Sequence, residues 1–360
     1  MIMSYDDTIM AVTVALNLVK TYRQQRGWSQ AELATRAGIS RTAVSAVEIQ
    51  RLVPSVAAAL SLAAAFGCAV EDLFGLARPG QAVSEWAWPP ASTPCRFWLA
   101  RVGERVLRFP VETPASGGVA HDGVSGEGSF AVGNVDPAQT LVLASCDPAV
   151  NLLAAEYAKA TGFRLLALRR SSRQGITLLG QGLVHVAGVH FATDREPDGN
   201  VRTVRDTLGT AYDLIRVAHW QEGLSIAPDA RVRSVSGAVR ARLRWVGREP
   251  GSAARQCLDA LLEGRPAPRR MALDHHGVAD AIRCGWADVG VCHRLVCEEA
   301  GLRFLAVRRE HFDLCYPAAS KRDPRIQALL GVLRSPAYRG LLADLPGYDM
   351  DRAGEEACLL

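Results

Sequence analysis

The chain has 360 residues, of which 49% are hydrophobic, and a formal net charge of +4. This length suggests two or three domains, and the apolar content excludes an intrinsically disordered protein. Acidic and basic side chains balance within residues 1–76, so any nucleic-acid contact there depends on where the arginines lie. The chain begins without the pattern of a secretory signal, and its nine cysteines are scattered. We therefore expect a cytoplasmic protein without a disulfide framework.

Five short helices are predicted in the first part of the chain. They cover, in order, Val14–Arg26, Gln30–Arg36, Arg41–Glu48, Ser55–Phe66 and Val70–Leu73. Ser29 followed by Glu32 forms a capping box at the start of the second helix, and Gly27 ends the first helix. The uncharged run Val53–Val70 is rich in alanine and is interrupted by proline and glycine, which favours a buried helix over a membrane span. We therefore predict an all-α domain at residues 1–76.

The amino-acid composition and apolar pattern change twice in the rest of the chain. Residues 77–138 are rich in glycine, proline, serine and tryptophan, and we interpret them as a linker with a small β element, in which Phe97–Ala100 and Arg105–Phe109 form a hairpin. Residues 139–346 alternate short apolar strands with helices, which is typical of an α/β domain with a largely parallel sheet. We interpret residues 347–360 as a C-terminal tail.

The span Trp28–Ile49 has the pattern of a helix-turn-helix. This motif needs a short helix, a tight turn that usually contains glycine, and a second helix whose first turns enter the major groove of DNA. Gly38 permits the turn, and Ile39 fills the angle between the helices. Arg41 suits either a guanine edge or a phosphate, whereas Glu48 suits an ion pair with a nearby arginine. The side chains expected to contact DNA are Gln30, Ser40, Arg41, Thr42, Ser45 and Arg51.

The same span resembles the Xre/Cro/phage-repressor family of helix-turn-helix regulators. The matching residues are Ser29-Gln30, Glu32-Leu33-Ala34, Ala37-Gly38-Ile39-Ser40, Ser45 and Glu48. The resemblance implies a lambda-repressor-like fold and binding to two-fold operators in double-stranded DNA as a homodimer. The segment Ile49-Gln50-Arg51 departs slightly from the family pattern. The alternative is a helical bundle that serves protein contact.

In the α/β domain, polar residues follow several strands at the point where each strand gives way to a helix. In an open α/β sheet, ligands bind beyond the carboxyl ends of the strands, where helix N-termini present free N–H groups suited to an anion. Serines at three such places add neutral donors, although each serine alone is also a common helix cap. The candidate ligand-binding residues are Ser145, Cys146, Asp147, Ser171, Ser172, Arg173, His190, Glu222, Arg248, Ser252, Arg255, His275 and His276.

This domain resembles the periplasmic-binding-protein-like domains related to molybdate-binding proteins, which occur in bacterial regulators. The matching stretches are Ser145–Pro148, Val186–His190, Gln221–Leu224, Arg248–Arg255 and Gly285–Gly290. The resemblance implies a type II fold with two lobes, two crossover strands as a hinge and a ligand between the lobes. The ligand implied by the resemblance is a molybdate-like oxyanion.

The charged candidates leave the identity of the ligand open. Arg173, Arg248 and Arg255 each offer a forked donor to a carboxylate, a phosphate or a metal oxyanion. Because molybdate-type sites usually rely on neutral donors, a small organic or phosphorylated acid is an alternative ligand. His275 and His276 suit either the polar edge of a ligand or a pH-sensitive contact.

Cysteines and histidines cluster near the end of the α/β domain. Cys284, Cys292, His293 and Cys297 lie close together but form no Cys-x-x-Cys pair, so we interpret these cysteines as structural. Cys292 and His293 are the alternative candidates for a metal or metalloid site or for thiol-redox sensing. Cys146 is placed where it could meet a soft ligand.

Catalysis is not expected, because the sequence has no Gly-x-Ser-x-Gly elbow, Walker loop or His-Glu-x-x-His motif. We therefore predict a one-component transcription regulator without a cofactor or membrane partner, whose C-terminal domain senses a small anionic ligand. One alternative is a metal or thiol-redox sensor. Another is an enzyme or ligand-storage protein whose N-terminal bundle serves interaction.

Overall fold

The computed structural model describes residues 17–49, 51–68, 70–74, 84–112, 120–125 and 135–358. The chain divides into two compact units. Unit 1 consists of residues 1–85, 90–96 and 123–132, and unit 2 consists of residues 86–89, 97–122 and 133–360. The helical bundle lies in unit 1, and the large sheet lies in unit 2.

Unit 1 contains five short helices in the predicted order. They are α1 (Val19–Gln25), α2 (Gln30–Ala37), α3 (Arg41–Glu48), α4 (Val56–Phe66) and α5 (Val70–Phe74). The hydroxyls of Ser29, Ser40 and Ser55 cap α2, α3 and α4, and Gly38 ends α2 with a φ of +66°. The first helix begins later than predicted, at Val19, and residues 14–16 lie outside the described residues.

The core of the bundle is formed by one face of each long helix. Its fully buried side chains include Leu33, Val44, Val47, Leu62 and Phe66. The uncharged run Val53–Val70 therefore contributes a packed helix, although Val53, Val56 and Leu60 on its outer face are exposed. Within the described ranges, no helix is long and apolar enough to cross a membrane.

Short strands precede the α/β region. They are β1 (Glu85–Trp86), β2 (Cys95–Val102), β3 (Arg105–Pro110) and β4 (Gly123–Ser125). Strands β2 and β3 form the predicted antiparallel hairpin, with Trp98 opposite Phe109. The apolar face of this hairpin shares one core with Val142 and Leu166 of the large sheet. The hairpin is therefore packed on the α/β region rather than isolated in a linker.

The large sheet is built mainly from strands that alternate with helices. Its elements are β5 (Thr140–Ser145), α6 (Val150–Thr161), β6 (Arg164–Arg169), α7 (Ser172–Gly180), β7 (Val186–Thr193), α8 (Gly199–Leu208), β8 (Tyr212–Ile226), α9 (Val235–Arg240), β9 (Trp245–Arg248), α10 (Ala253–Leu261), β10 (Arg270–Ala272), α11 (His275–Arg283), β11 (Val289–His293), α12 (Arg294–Glu299), β12 (Arg303–Pro317), α13 (Pro324–Arg334), α14 (Pro336–Ala343), β13 (Tyr348–Asp349) and β14 (Glu356–Cys358). The strand order is β10-β9-β11-β8-β12-β7-β5-β6.

This order defines two lobes joined by two long strands. The first lobe contains the parallel strands β5, β6 and β7, and the second contains the parallel strands β9, β10 and β11. Strands β8 and β12 have 15 residues each, pair antiparallel with one another and run through both lobes. Register shifts in β12 at Ala306/Arg308 and Phe312/Asp313 mark the middle of this connection. We call the central part of β8 and β12 the hinge.

The structure corrects two predictions of separate strands. The apolar pattern predicts Leu214–Trp220 and Leu224–Ala227 as two strands, but they belong almost entirely to the single strand β8. In the same way, the predicted strands Phe304–Val307 and Asp313–Tyr316 both belong to β12. The polar residues between them suggest loops, yet these residues pair with one another across the two strands and are therefore accommodated inside the sheet.

The segment predicted as a C-terminal tail is also different in the structure. Strand β13 pairs with β8 at Trp220 and His219, and strand β14 pairs with β8 between Asp213 and Ile215. The two strands are too short to show a recognisable alternation of apolar and polar residues in the sequence. As far as residue 358, this segment is therefore part of the sheet.

Candidate functional site

The first turn of α3 carries exposed polar side chains. Arg41 and Thr42 are exposed, and Ser45 is half-buried. The Ser40 hydroxyl accepts a backbone hydrogen bond as the cap of α3 and lies 3.0 Å from the Thr42 hydroxyl. The buried residues of the same helix are Val44 and Val47. Helix α3 is therefore anchored by one face and presents the other face to the surroundings, as a recognition helix requires.

Gln30 and Glu48 connect the helices of the bundle. Gln30 Nε2 donates a hydrogen bond to Glu48 Oε2 at 2.9 Å, and Arg23 Nε donates to Glu48 Oε1 at 2.5 Å. Burial acts to raise the pKa of Glu48, but the hydrogen bonds from Arg23 and Gln30 lower it overall. Glu48 is therefore an ionised structural partner, and Gln30 is partly committed to it. Arg51, just after α3, is exposed.

In unit 2, residues at the strand ends of the two lobes meet. Arg169 of the first lobe forms an ion pair with Asp274 of the second. Arg173 lies against Gly251, so that a Cβ at Gly251 would be 3.3 Å from the Arg173 Cδ. The φ of Gly251 is +88°, which also favours glycine. The lobes are therefore in contact across the region between their strand ends, which we call the cleft.

Two neighbouring serines of the first lobe differ in their hydrogen bonding. Ser171 caps α7 in a capping box with Gln174. Ser172, the first residue of α7, is fully buried, and its Oγ has no hydrogen-bond partner among the described residues. A buried hydroxyl without a partner is costly unless a ligand or water satisfies it. Ser145 is instead occupied, because its Oγ accepts a hydrogen bond from the Asp147 N–H at 3.1 Å.

Asp147 is a buried carboxyl group at the start of the cleft. The Tyr348 hydroxyl donates a hydrogen bond to Asp147 Oδ1 at 2.5 Å, and the backbone N–H of Ala149 donates to the same oxygen at 3.0 Å. Burial raises the pKa of Asp147 to about 6, although these hydrogen bonds oppose the shift. Asp147 thus ties β13 to the first lobe.

Arg248 is the buried cation of the second lobe, with 2% of its surface exposed. Its Nε donates to Glu249 Oε2 at 2.9 Å, and its Nη1 lies 3.2 Å from His275 Nδ1. His275 Nδ1 also accepts the backbone N–H of His293 at 3.1 Å. Burial and the neighbouring Arg248 hold the pKa of His275 well below its ordinary value. His275 is therefore a neutral imidazole that orients the Arg248 guanidinium.

The remaining second-lobe candidates are less directly engaged with the cleft. Ser252 caps α10, and its hydroxyl donates to the carbonyl of Glu249 at 3.0 Å. Arg255 pairs with Asp259 at 2.7 Å along the same helix. His276 is exposed at the start of α11.

A thiol, an imidazole and a carboxylate are connected by short contacts that run from the end of β5 through β7 to β12. Cys146 Sγ is 3.0 Å from His190 Nε2, and His190 Nδ1 is 2.8 Å from Glu310 Oε2. Trp220 Nε1 donates to the same carboxylate oxygen at 2.8 Å. Burial disfavours the charged imidazole, yet Cys146 and Glu310 raise the pKa of His190 well above its ordinary value. The neighbouring Cys146 and Glu310 thus favour the protonated imidazole over the neutral one.

Glu222 and Arg308 complete this buried group in the hinge. Arg308 Nε donates to Glu222 Oε2 at 3.0 Å, and the Arg308 guanidinium also pairs with Glu310. Burial and the adjacent Glu310 raise the pKa of Glu222 to about 8, whereas His190 and Arg308 hold the pKa of Glu310 well below its ordinary value despite burial. Glu222 is therefore largely protonated at neutral pH.

Cys292 and His293 do not converge on a common point. Cys292 is fully buried, with its Sγ 3.5 Å from the carbonyl oxygen of His275. His293 Nδ1 accepts the backbone N–H of Leu295 as the cap of α12, and its Nε2 is buried without a partner in the described part of the chain. Burial lowers the pKa of His293 to about 3. Among the described residues, no group of three His, Cys, Asp or Glu side chains is arranged to hold a metal ion.

The structure thus brings together part of the predicted set and adds residues that the sequence analysis missed. Cys146, His190 and Glu222 meet in the hinge region, and Arg248 and His275 meet in the second lobe. The missed residues are Trp220, Arg308, Glu310 and Tyr348. A possible signal was the run of charged residues inside an otherwise apolar strand pattern in β12, because charges seldom enter a sheet without buried partners.

Together, these features define a helix-turn-helix domain followed by a two-lobed α/β domain of the binding-protein type. The model of the PBP superfamily domain matches residues 154–334, and a helix-turn-helix model matches residues 19–73. Because the first match covers half of the chain, the chain belongs to the PBP superfamily, and its N-terminal region is a helix-turn-helix domain of the predicted Xre type. The predicted multidomain fold class is therefore confirmed.

Three relatives illustrate the two parts. The uncharacterised protein YvgK of Bacillus subtilis (strain 168) is 23% identical over 230 residues, which cover 61% of this chain and 74% of the relative. The uncharacterised HTH-type transcriptional regulator YgzD of the same organism is 40% identical over 60 residues, covering 17% of this chain and 91% of the relative. The structure of PhnD1 from Prochlorococcus marinus in complex with methylphosphonate is 11% identical, with a TM-score of 0.42, and the match covers 60% of this chain and 94% of that chain.

Proposed function

We propose that this chain is a one-component transcription regulator of the cytoplasm. In this proposal the helix-turn-helix binds operator DNA as a homodimer, and the cleft of the two-lobed domain binds a small anionic ligand that alters the affinity for the operator. The fusion of a DNA-binding unit to a two-lobed binding domain supports the regulatory part. The contacts within the cleft support the ligand part.

The observation that carries the ligand proposal is an unsatisfied buried donor in the first lobe, together with a buried cation at a strand end of the second lobe. The Ser172 hydroxyl lies unpartnered at the N-terminus of a nine-residue helix, and Arg248 lies at the corresponding strand end of the second lobe. Neutral donors at a helix N-terminus, together with a guanidinium, bind carboxylates, phosphates and related oxyanions. His293 Nε2 adds a second buried group without a partner among the described residues.

These donors suit more than one class of anion. Arg248 offers a forked donor that fits a carboxylate, a phosphate or a metal oxyanion, and the Ser172 hydroxyl adds a neutral donor. A molybdate-like oxyanion and a small organic or phosphorylated acid are therefore both candidate ligands.

An apolar surface on unit 1 supports the proposed homodimer. Five large apolar residues between the end of α3 and the middle of α4 are exposed, namely Ile49, Leu52, Val53, Val56 and Leu60. Several large apolar side chains exposed close together in the sequence of a small domain favour a contact surface. In a homodimer, the two recognition helices would address two half-sites of a palindromic operator.

DNA binding can be tested with duplexes selected from a random library. Binding of the selected duplexes is measured by fluorescence anisotropy with the wild type, with Arg41→Ala and Thr42→Ala, and with the exposed control Lys20→Ala. If Arg41 contacts a base, we expect Arg41→Ala to weaken the binding of selected duplexes by about 1–3 kcal/mol. We expect Lys20→Ala to have little effect on this binding. Equal binding of all variants and of random duplexes would contradict the proposal. The stoichiometry at saturation should be two chains per duplex.

The ligand class can be tested by thermal shift. The panel consists of molybdate, tungstate, sulfate, phosphate and small carboxylic acids at equal ionic strength. An anion that binds the native cleft at 100 times its Kd stabilises the fold by about 2.7 kcal/mol. If no anion in the panel raises the melting temperature of unit 2, the anion proposal is wrong.

A further inference from the structure

The thiol of Cys146 lies in the cleft, although anion binding does not require a thiol there. It follows the last residue of β5 and is half-buried, whereas the residues behind it in this group are buried. Its partner His190 has 3% of its side chain exposed, and Glu310 behind it is fully buried. The sulfur, the imidazole and the carboxylate therefore form a chain of hydrogen-bond partners that leads from the cleft into the hinge.

This arrangement controls where the thiol proton lies. The Glu310 carboxylate holds His190 Nδ1–H, which leaves Nε2 directed at the sulfur as an acceptor for its proton. The Trp220 ring packs against the imidazole with centroids 4.9 Å apart and donates its N–H to the same carboxylate. The imidazole is therefore fixed in orientation by residues of both β8 and β12.

Basic side chains lie close to the sulfur. Arg248 interacts electrostatically with Cys146 from the second lobe, and His190 Nε2 is 3.0 Å from the sulfur. The thiolate is the reactive form of cysteine, and a neighbouring imidazole that accepts the thiol proton generates it. The other charged or titratable groups that surround His190 are Asp147, Glu222, His275, His293 and Arg308.

We propose that Cys146 is a nucleophile that forms a covalent bond with a small electrophilic carboxylic acid bound in the cleft. The carboxylate requirement rests on the proposed anion-binding function, since Arg248 and Ser172 are the groups that would hold it. An α,β-unsaturated acid is the simplest such ligand. The sulfur bonds to the β-carbon, the π electrons move to the α-carbon, and the proton held by His190 is transferred to that carbon. The thiol is thereby added across the double bond without any change in net oxidation state.

The test compares two alkylating probes on the intact chain. Iodoacetate carries a carboxylate, whereas iodoacetamide is neutral; in both reactions the S–C bond forms and iodide leaves with the electron pair of the C–I bond. Rates are followed at each cysteine by mass spectrometry of peptides, with the exposed Cys284 as the internal reference. We expect Cys146 to react at least tenfold faster than Cys284 at pH 6.5, and to prefer iodoacetate where Cys284 prefers iodoacetamide.

Variants separate the roles of the supporting residues. His190→Asn should slow alkylation of Cys146 at least tenfold, and the control His121→Asn, at an exposed histidine outside the proposed site, should not. Glu310→Gln should slow the reaction less than His190→Asn does, and it should steepen the dependence of the rate on pH between 6 and 8. The reason is that Glu310 positions His190 and favours its protonated form. A melting curve shows whether each variant is folded. The comparison of the two probes on the wild type does not depend on any variant.

The possible outcomes separate the nucleophile from the anion site. If Cys146 is no faster than Cys284 with either probe, the nucleophile proposal is overturned. If it is fast only with iodoacetamide, the carboxylate class is overturned, together with the proposed anion site. A fast reaction with iodoacetate in a chain that fails to bind DNA would support the nucleophile while contradicting the proposed regulatory function.

Discussion

At the scale of single residues, Ser171 and Ser172 show how adjacent identical side chains take different roles. The Ser171 hydroxyl is used by the backbone of α7, whereas the Ser172 hydroxyl is buried and has no partner among the described residues. A buried hydroxyl that the fold leaves unsatisfied is unfavourable for stability, so Ser172 is available to a ligand in a way that Ser171 is not. The two serines therefore offer a matched pair for separating folding from binding.

Ser172→Ala should weaken ligand binding without destabilising the protein. The lost hydrogen bond to the anion is expected to lower affinity about two- to tenfold, since a neutral hydrogen bond contributes about 0.5–1.5 kcal/mol. Ser171→Ala should have the opposite effect, because removal of a helix cap costs about 1 kcal/mol of stability. Urea unfolding and titration of the anion selected by thermal shift measure the two quantities. A loss of stability in Ser172→Ala without a change in affinity would contradict this assignment.

The residue-level prediction from the sequence succeeded where the signal was local. Helix caps such as Ser29 and the ion pair of Glu48 with an arginine follow from short spacings or helix faces. The Cys146–His190–Glu310 group does not, because its members are 44 and 120 positions apart in the sequence. Only the pairing of β7 with β12 in the sheet brings His190 and Glu310 together. No local motif could have joined them.

At the scale of elements, the two hinge strands carry charges that apolar strands elsewhere in the sheet lack. Glu222 of β8 faces Arg308 and Glu310 of β12, and His190 of β7 lies on the other side of Glu310. Because burial raises the pKa of Glu222 to about 8, the native hinge holds a proton that the unfolded chain releases near pH 4.5. The stability contributed by this proton is fully present below pH 4.5 and is lost as the pH rises toward 8.

Glu222→Gln should flatten the pH dependence of stability. In the wild type, the free energy of unfolding is expected to fall by up to about 1.4 kcal/mol per pH unit between pH 4.5 and 8 from this group. The uncharged amide removes that contribution, while the slope from His190 above pH 6.5 remains. Urea denaturation at half-unit steps of pH measures the difference, with the exposed change Glu299→Gln as control. Parallel curves for the wild type and Glu222→Gln would refute the assignment.

Element prediction followed the same division between local and distant signals. The helices of unit 1 and the alternation of strands and helices in unit 2 were confirmed, because periodicity and caps are local properties. The continuity of β8 and β12 was missed, since Gln221–Glu222 and Arg308–His311 look like loops until their cross-strand partners are known. The pairing of β13 and β14 with β8 was missed for the same reason.

At the scale of the whole molecule, regulation requires that ligand and operator favour different states. A ligand that binds the closed lobes more tightly than the open lobes increases the fraction of closed molecules. Only this difference in affinity between the two states can produce the shift. The ion pair of Arg169 with Asp274 shows that the strand-end surfaces of the two lobes are in contact in this structure.

Coupling between the sites should be reciprocal. If the anion changes the Kd for the operator by a given factor, the operator must change the Kd for the anion by the same factor, and factors of about 5 to 150 are typical. Anisotropy with and without saturating anion, and calorimetric titration of the anion with and without the duplex, measure the two sides. We expect Ser172→Ala to weaken binding of the anion. DNA binding measured without the anion should be unchanged in this variant. If neither titration responds to the other partner, the chain is not a ligand-controlled regulator.

The pairing of β13 with the hinge has a practical consequence for work with shortened chains. Tyr348 gives its hydroxyl to Asp147 and packs its ring against His293, so one residue near the end of the sequence touches both lobes. Removing the residues from 347 onward would expose a carboxyl group that is otherwise buried and would strip a backbone partner from Trp220. A chain trimmed to the predicted domain boundary would therefore misreport the affinity of the cleft for its ligand.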